Sequence, residues 1–428
     1  MSTFLSVGMT HADAPLPGLE QVAAGVSAQT DLQAMALASG CAEVLLLSTC
    51  SRIELHAVVD DPSPADPGPA LGEGSAFAHD VAELLVKALV GHIGDRVGPV
   101  TTRVGADAVR HLFRVAAGLD SRVFGEVEVQ AQLRTAIRGA QAVPGEPHRL
   151  RHLVTAAVAS ARETARDHPS LLRRGLLAER AAALTPIPGA PGARSEVVVV
   201  GTGAMGRQVV AALHDRGCRV ALLSRTTSAR SSRGPRVMPL EELATRLPTA
   251  DAVFVATSAG RRLLSYAAVA EAVAGREQER PLTIVDLALP RNVDPLVGGV
   301  RGVHLLNLDD LSDAACRPAP EQPGVADVEA AIGAAADAYC ARIRSRRVGP
   351  LVSALHEQLQ SLCLEQLRHT TRGHQLPEDM LARMASAVAG AVAHGPTVLA
   401  REAAGHDDEA TLAVLAAAFR LQGVTVAG

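Results

Sequence analysis

Residues 196–225, EVVVVGTGAMGRQVVAALHDRGCRVALLSR, constrain the fold more than any other stretch of the chain. The four valines show no polar alternation, which suits a strand covered on both faces in a parallel sheet. Glycines follow at 201, 203 and 206, and then an apolar-periodic helix. In this strand–turn–helix setting the first glycine permits a tight turn. The second lets backbone approach a pyrophosphate, and the third lets helix pack closely on strand. The helix N-terminus offers free N–H groups to phosphate oxygens. Apolar runs in DAVFVATS, LTIVDLAL and VHLLNL continue the strand series, with helical stretches between several of them. The expectation is a doubly wound Rossmann-type domain that holds a dinucleotide at Gly201, Thr202, Gly203, Ala204, Met205 and Gly206.

The second strand of this unit ends in LLSRTT. Sites that prefer NAD place a carboxylate there for the ribose hydroxyls. Ser224, Arg225 and Thr226 offer hydroxyls and a guanidinium instead, which fits a 2′-phosphate and predicts NADPH. The alternative is that Arg225 is a solvated loop residue.

Upstream, the first 105 residues alternate strand and helix. TFLSVGM, AEVLLLS, IELHAVV and VTTRV read as strands; 17–38 and HDVAELLVKALV read as helices. The order β-α-β-β-α-β predicts a ferredoxin-like α+β unit. From Ala106 to Leu184 the period turns helical. PIPGAPGARS, at 186–195, is a Pro/Gly linker and a domain boundary. Beyond Asp309 no strand signal returns. Residues 325–423 predict one long helix and a small bundle, interrupted near Gly349-Pro350, Gly373, Pro377 and Gly395-Pro396.

LLLSTCSRIE, at 45–54, ends an apolar strand in hydroxyls, a thiol and a guanidinium. Cys50 lies just past the strand, where side chains can face a cleft. Arg52 two residues on favours the thiolate, the nucleophilic form. A half-buried cysteine in a turn is the alternative. The other cysteines (41, 218, 316, 340 and 363) lack such surroundings and are expected to be packing residues. No Cys/His cluster predicts a metal site. Aromatics are 2% of residues, with no Trp, which excludes base-stacking platforms. Net charge is −4, so no strong field dominates. Neither a signal peptide nor an apolar membrane span is predicted, so the expectation is a reduced, cytoplasmic protein. The arginines of RIRSRR, 342–347, are a candidate RNA stripe but read as a solvated helix face.

LLLSTCSRIELHAVV, HLFRVAAGLDSRVFGEVEVQAQLRTA, VVVVGTGAMGRQV with LLSRT, and IVDLALPRNVDP with LLNLDDL resemble the glutamyl-tRNA reductase family. GMTHADAPL and HGPTVLAREAA resemble it too. The similarity spans essentially the whole chain in the family's order and is nearest to the actinobacterial type. The resemblance implies NADPH-dependent reduction of glutamyl-tRNA to glutamate-1-semialdehyde through a thioester on Cys50. This is the first committed step of tetrapyrrole (5-aminolevulinate) synthesis from glutamate. It implies that Arg52 holds the glutamyl carboxylate and that His111 moves a proton or polarises the ester. It implies substrate contacts from Thr49, Ser51, Ser121, Glu126, Val127, Glu128 and Gln132. The implied plan is a catalytic domain at 1–160, an NADPH domain with its entry helix at 161–315, and a spinal helix with an all-α dimerisation domain at 316–428. The implied partners are glutamyl-tRNA and a second copy of the chain, with glutamate-1-semialdehyde aminomutase a further candidate.

Three positions depart from the family pattern: Ser51 stands for Asn, Val127 for Pro and Glu128 for Gln. Glu128 is expected to put a negative charge near an anionic substrate, weakening its binding by about 1 kcal/mol. A specialised duplicate of the enzyme, a small-molecule NADP-dependent dehydrogenase and a non-catalytic tRNA-binding copy stay open on the sequence.

Overall fold

The computed structural model describes residues 2–13, 19, 29–49, 51–61, 76–93, 99–143, 145–186, 195–225, 236–257, 259, 261–276, 280–311, 322–346, 348–371, 376–406 and 408–421. Cys50, Thr226, Cys316, Gly373 and most of the 186–195 linker lie outside these residues.

The N-terminal sheet is built from β1 (Ser2–Thr10), β2 (Cys41–Ser48), β3 (Arg52–Asp60), β4 (Thr101–Val104) and β5 (Gln141–Ala142), in the order β4-β1-β3-β2-β5. Its pairings are antiparallel, and β1 pairs β3 from Ser2↔Asp60 to Thr10↔Arg52. With helices α1 (Gln29–Ala38) and α2 (Ala76–Ile93) it makes the expected ferredoxin-like unit, plus the short edge strand β5. One side buries Leu5, Val7, Met9, Leu46, Ile53 and Leu55 against the two helices. The other packs Phe4, Leu45, Leu47 and Val58 on α3 (Ala106–Ala117) and α5 (His148–Asp167).

Helix α5 shows how polar residues of this sheet set the helices. Its N-cap is Pro147, which offers no side-chain acceptor. The first turn's free N–H groups need one. Buried Glu43 of β2 supplies it, accepting from Arg149 N at 3.2 Å and Leu150 N at 2.8 Å, while Arg149 Nε pairs its charge at 2.8 Å. Removing that carboxylate is expected to cost about 1–3 kcal/mol.

Helix α4 (Val129–Arg138) packs on β2 and α5, and α6 (Leu176–Leu184) leads towards the second sheet. That sheet is six-stranded and parallel, ordered β11-β10-β9-β6-β7-β8. Its strands are β6 (Glu196–Val200), β7 (Arg219–Ser224), β8 (Val237–Pro239), β9 (Ala252–Val255), β10 (Leu282–Asp286) and β11 (Val303–Leu306). Helix α7 (Ala204–Asp215) follows β6 directly. The two faces form separate cores, one around Val197, Val199 and Phe254, the other around Val198, Val200 and Val253. Strand order reverses at β6, between β9 and β7, which is where such sheets bind ligands.

Four C-terminal helices introduced next are α8 (Val325–Ser345), α9 (Gly349–Thr370), α10 (Glu378–Gly405) and α11 (Glu409–Ala418). Helix α8 seats Val328, Ile332, Ala336 and Tyr339 against α3 and α5. Two of the expected interruptions hold, since Gly349-Pro350 opens α9 and Pro377 caps α10. Gly395-Pro396 does not break the chain: α10 runs through it. Gly395 has no Cβ to meet the proline ring, which softens the usual conflict before proline. The stripe of arginines also has packing duties. Arg342 lies 5.3 Å from the Tyr339 ring centroid, and Arg344 donates to the Gly405 carbonyl at 3.0 Å. Among the described residues no helix is long and apolar enough to cross a membrane.

Candidate active site

Strand β3 carries Arg52, Glu54 and His56 at alternate positions, so the three share one face. That face is enclosed, with exposures of 1%, 1% and 2%. Buried charges are costly unless each finds partners. Glu54 provides them. Its Oε1 lies 2.7 Å from His111 Nε2, and its Oε2 accepts from Arg52 Nη1 at 3.5 Å and lies 3.6 Å from His56 Nε2. On the other side of the His111 ring, Nδ1 is 3.6 Å from Asp120 Oδ2. Asp120 accepts from Arg114 Nη2 at 2.8 Å, and its carbonyl accepts from Arg52 Nη2 at 2.6 Å.

This wiring sets the charge states. Burial raises the Glu54 carboxyl, but Arg52 and His111 outweigh it and hold it well below the usual range. Burial lowers His111, but Glu54 and Asp120 outweigh it and lift the imidazole above its ordinary value. The protonated ring is therefore more favoured than in a free imidazole. Burial lowers His56 below its ordinary value, outweighing the opposing pull of Glu54.

The thiol turn is pinned at both shoulders. Thr49 N donates to the Arg52 carbonyl at 2.9 Å, and Ser51 N donates to Thr49 Oγ1 at 3.1 Å. Cys50 is the residue between them. Burial pushes the Cys41 thiol up to about 12 and raises those of Cys218 and Cys340, as expected of packing residues.

Thr49, Ser51, Arg52, Ser121, Glu126, Glu128 and Gln132 line one narrow cleft of about 60 Å³, and Met205 of the glycine turn closes it from the second sheet. Val127 is the exception among the expected substrate residues. It is 7% exposed and packs in the hydrophobic core. The reason is local: Gly118 and Gly125, both at positive φ, fold the loop so that Glu126 and Glu128 turn to the cleft. A Cβ at Gly125 would sit 1.7 Å from the Leu171 carbonyl.

Glu128 does not stand free in the cleft as its sequence position suggested. Its Oε1 accepts from Gly175 N at 2.9 Å and from Gln208 Nε2 on α7 at 2.5 Å, so it ties the loop to the nucleotide domain. Glu126 accepts from Leu177 N. Burial, with Glu128 alongside, pushes its carboxyl up to about 9, so at pH 7 it is neutral and adds no charge. Arg122, 5% exposed, makes a second tie, donating to the Leu308 carbonyl at 3.2 Å and Asp309 Oδ1 at 2.9 Å.

At the glycine turn, a Cβ on Gly206 would meet the Gly201 carbonyl at 1.9 Å, so helix and strand touch there. A Cβ on Gly203 would meet nothing within 4 Å. Gly203 is the N-cap of α7 and supplies no side-chain cap, leaving the first N–H groups open to a phosphate. Ser224 Oγ lies 3.5 Å from Thr202 Oγ1, and Arg225 beside it is exposed. Ala204 and Met205 complete the turn. The residues fit a dinucleotide bearing a 2′-phosphate.

Sequence reasoning missed Glu54, Asp120, Arg122 and Gln208. The R-x-E-x-H alternation in β3 was a usable signal for Glu54, because three polar residues on one face of an apolar strand need a shared purpose.

A buried His111–Glu54 pair next to a narrow cleft, with a dinucleotide loop at the edge of that cleft, defines a nucleotide-dependent oxidoreductase. Residues 7–167 match the glutamyl-tRNA(Glu) reductase N-terminal domain and 327–421 its dimerisation domain; 190–314 match the shikimate/quinate 5-dehydrogenase domain. The chain is 32% identical over 434 residues to glutamyl-tRNA reductase 2 of Nocardioides sp., covering 98% of this chain and 93% of the relative. It is 30% identical to glutamyl-tRNA reductase of Rubrobacter xylanophilus, covering 94% and 92%. The solved glutamyl-tRNA reductase from Methanopyrus kandleri aligns at 24% identity and a TM-score of 0.37, over 94% of this chain and 98% of that one. The chain belongs to the glutamyl-tRNA reductase family.

Proposed function

We propose that this chain reduces glutamyl-tRNA to glutamate-1-semialdehyde with NADPH, in the cytoplasm, as the entry step of tetrapyrrole synthesis from glutamate. The observation that supports it most is the shared cleft: seven residues expected to touch substrate meet Met205 of the nucleotide turn there.

The Cys50 thiolate attacks the acyl carbon. An Sγ–C bond forms, the ester C–O bond breaks, and the ribose oxygen leaves with a proton from His111. Glu54 keeps that proton on His111 and fixes the ring. Arg52, anchored by Glu54 and the Asp120 carbonyl, presents its remaining N–H groups to the glutamyl carboxylate. NADPH held at the glycine turn would supply a hydride to the acyl carbon; the C–Sγ bond breaks as the aldehyde is released, and the Cys50 thiolate is regenerated. Splitting the reduction this way replaces one hard step with two easier ones. Because Glu128 is engaged by Gly175 and Gln208, and Glu126 is neutral, the cleft tolerates the Glu128 departure.

The homodimer expected of the C-terminal helices has a surface to use. Met380, Met384, Val388 and Val392 recur every fourth residue on α10 and are 39–50% exposed.

The test uses glutamyl-tRNA labelled in the glutamyl group, with and without NADPH. The reading requires labelled semialdehyde with NADPH and labelled protein without it. Label in neither product contradicts it. Turnover that ignores Cys50→Ser supports a small-molecule dehydrogenase instead.

A further inference from the structure

A second cavity, of about 510 Å³, adjoins the cleft through Ser121. We propose that it holds the 3′-terminal nucleotide of the aminoacylated RNA, with the Arg103 guanidinium on a phosphate and the His11 imidazole on the ribose. The assignment rests on the glutamyl-tRNA reading and adds where the RNA end lies.

The acyl carbon has two substituents to house. The glutamyl group belongs with Arg52 in the narrow cleft. The ribose must lie on the side of the proton donor, and His111 lines the larger cavity and not the cleft. Its volume falls in the range of about 300–1,000 Å³ usual for ligand sites.

Two charges of the cavity, the Asp13 carboxylate and the Arg103 guanidinium, have no ion-pair partner among the described residues, and the others are paired. Arg110 pairs with Asp107 at 3.1 Å and Asp337 at 2.8 Å. Arg114 pairs with Asp120 at 2.8 Å. Asp13 accepts from Thr10 N at 3.0 Å and Thr10 Oγ1 at 2.8 Å. Arg103, half-buried on β4, has no ion-pair partner among the described residues. A half-buried guanidinium facing a cavity is suited to a phosphate oxygen.

His11 supplies the second, independent observation. Its backbone N donates to the Ser51 carbonyl at 2.8 Å, which fixes it against the thiol turn. Its Nδ1 is buried with no hydrogen-bond partner. Burial, then the charges of Arg122 and Arg52, outweigh the Ser51 backbone and Asp120 and push its pKa down to about 4, so the ring is neutral at pH 7. A neutral imidazole that lines the cavity and abuts the Ser51 backbone can bond the free vicinal hydroxyl of the terminal ribose, the group that distinguishes RNA from DNA.

The experiment uses the full chain with glutamyl-tRNA and NADPH. Arg103→Ala is expected to raise KM for glutamyl-tRNA about tenfold, with little effect on KM for NADPH. The slope of log kcat/KM against log salt should flatten by about 0.7, one single-strand phosphate. Arg103→Lys should retain the wild-type slope. Glutamyl-tRNA ending in 2′-deoxyadenosine should react about tenfold more slowly with the wild type, and His11→Ala should erase that difference. An Arg103→Ala slope equal to the wild type's, or equal losses in both KM values, overturns the assignment. Failure of the wild-type chain to reduce glutamyl-tRNA overturns the underlying reading instead, so the two failures are distinct.

Discussion

His111 Nε2 and Glu54 Oε1 stand 2.7 Å apart inside the catalytic domain, with side-chain exposures of 4% and 1%. The carboxylate both holds the ring and raises its pKa, opposing the pull of burial. In Glu54→Gln that charge is gone and the His111 pKa falls. The protonated acid then disappears at lower pH. Acyl transfer from glutamyl-tRNA, followed without NADPH, should lose about 10–100-fold at pH 8 and less at pH 6. A rate profile whose basic limb does not move contradicts this role for Glu54.

Glu126 links the cleft to stability. Its unfolded carboxyl ionises near 4.5 and its folded one near 9. Between these values the folded chain keeps a proton that the unfolded chain releases, so stability falls as pH rises across the window. Glu126→Gln is neutral throughout and escapes that loss. Urea midpoints of variant and wild type should lie close together at pH 5 and separate by pH 8.5 in the variant's favour. A constant difference across pH removes the argument.

The two later glycines should respond differently to a side chain. Gly203 has open space around its Cβ position, whereas Gly206 abuts the Gly201 carbonyl. Gly203→Val should melt like the wild type while KM for NADPH rises about 100-fold. Gly206→Ala should lower Tm by several degrees, consistent with overpacking of about 1–3 kcal/mol. Equal melting of the two variants would mean that helix and strand are not in contact there.

Coenzyme choice should follow Arg225. It is exposed beside Ser224 at the end of β7, and the sequence SRTTSAR there holds no carboxylate to select a free ribose. Arg225→Ala is expected to reduce the NADPH-over-NADH preference about 10–100-fold, read as the ratio of kcat/KM values. A preference that survives intact assigns the 2′-phosphate to another residue.

The legibility of this chain varies with how far each constraint reaches. The glycine turn could be read because its spacing encodes a backbone contact within six residues, and the structure shows that contact at Gly206. The ferredoxin-like order could be read from alternating patterns of ordinary length. Strands β5 and β8 could not, since two and three residues carry no pattern and pairing alone supports them. Asp120 was invisible because its carbonyl meets Arg52 across 68 residues of sequence. Pro396 misled in the opposite direction, as tertiary packing of Ala389, Ala393 and Ala400 carries α10 past a local breaker. Val127 shows the limit of carrying a segment over whole: its neighbours face the cleft and it faces the core.

The central claim is that Cys50 is acylated by an amino acid delivered on RNA. Mass spectrometry of peptides from the chain, quenched in acid after mixing with glutamyl-tRNA without NADPH, tests it most directly. The account predicts one added glutamyl group on the peptide containing Cys50, lost in Cys50→Ser and chased to semialdehyde when NADPH is supplied. Semialdehyde formed by a Cys50→Ser chain, with no modified peptide in the wild type, would contradict it.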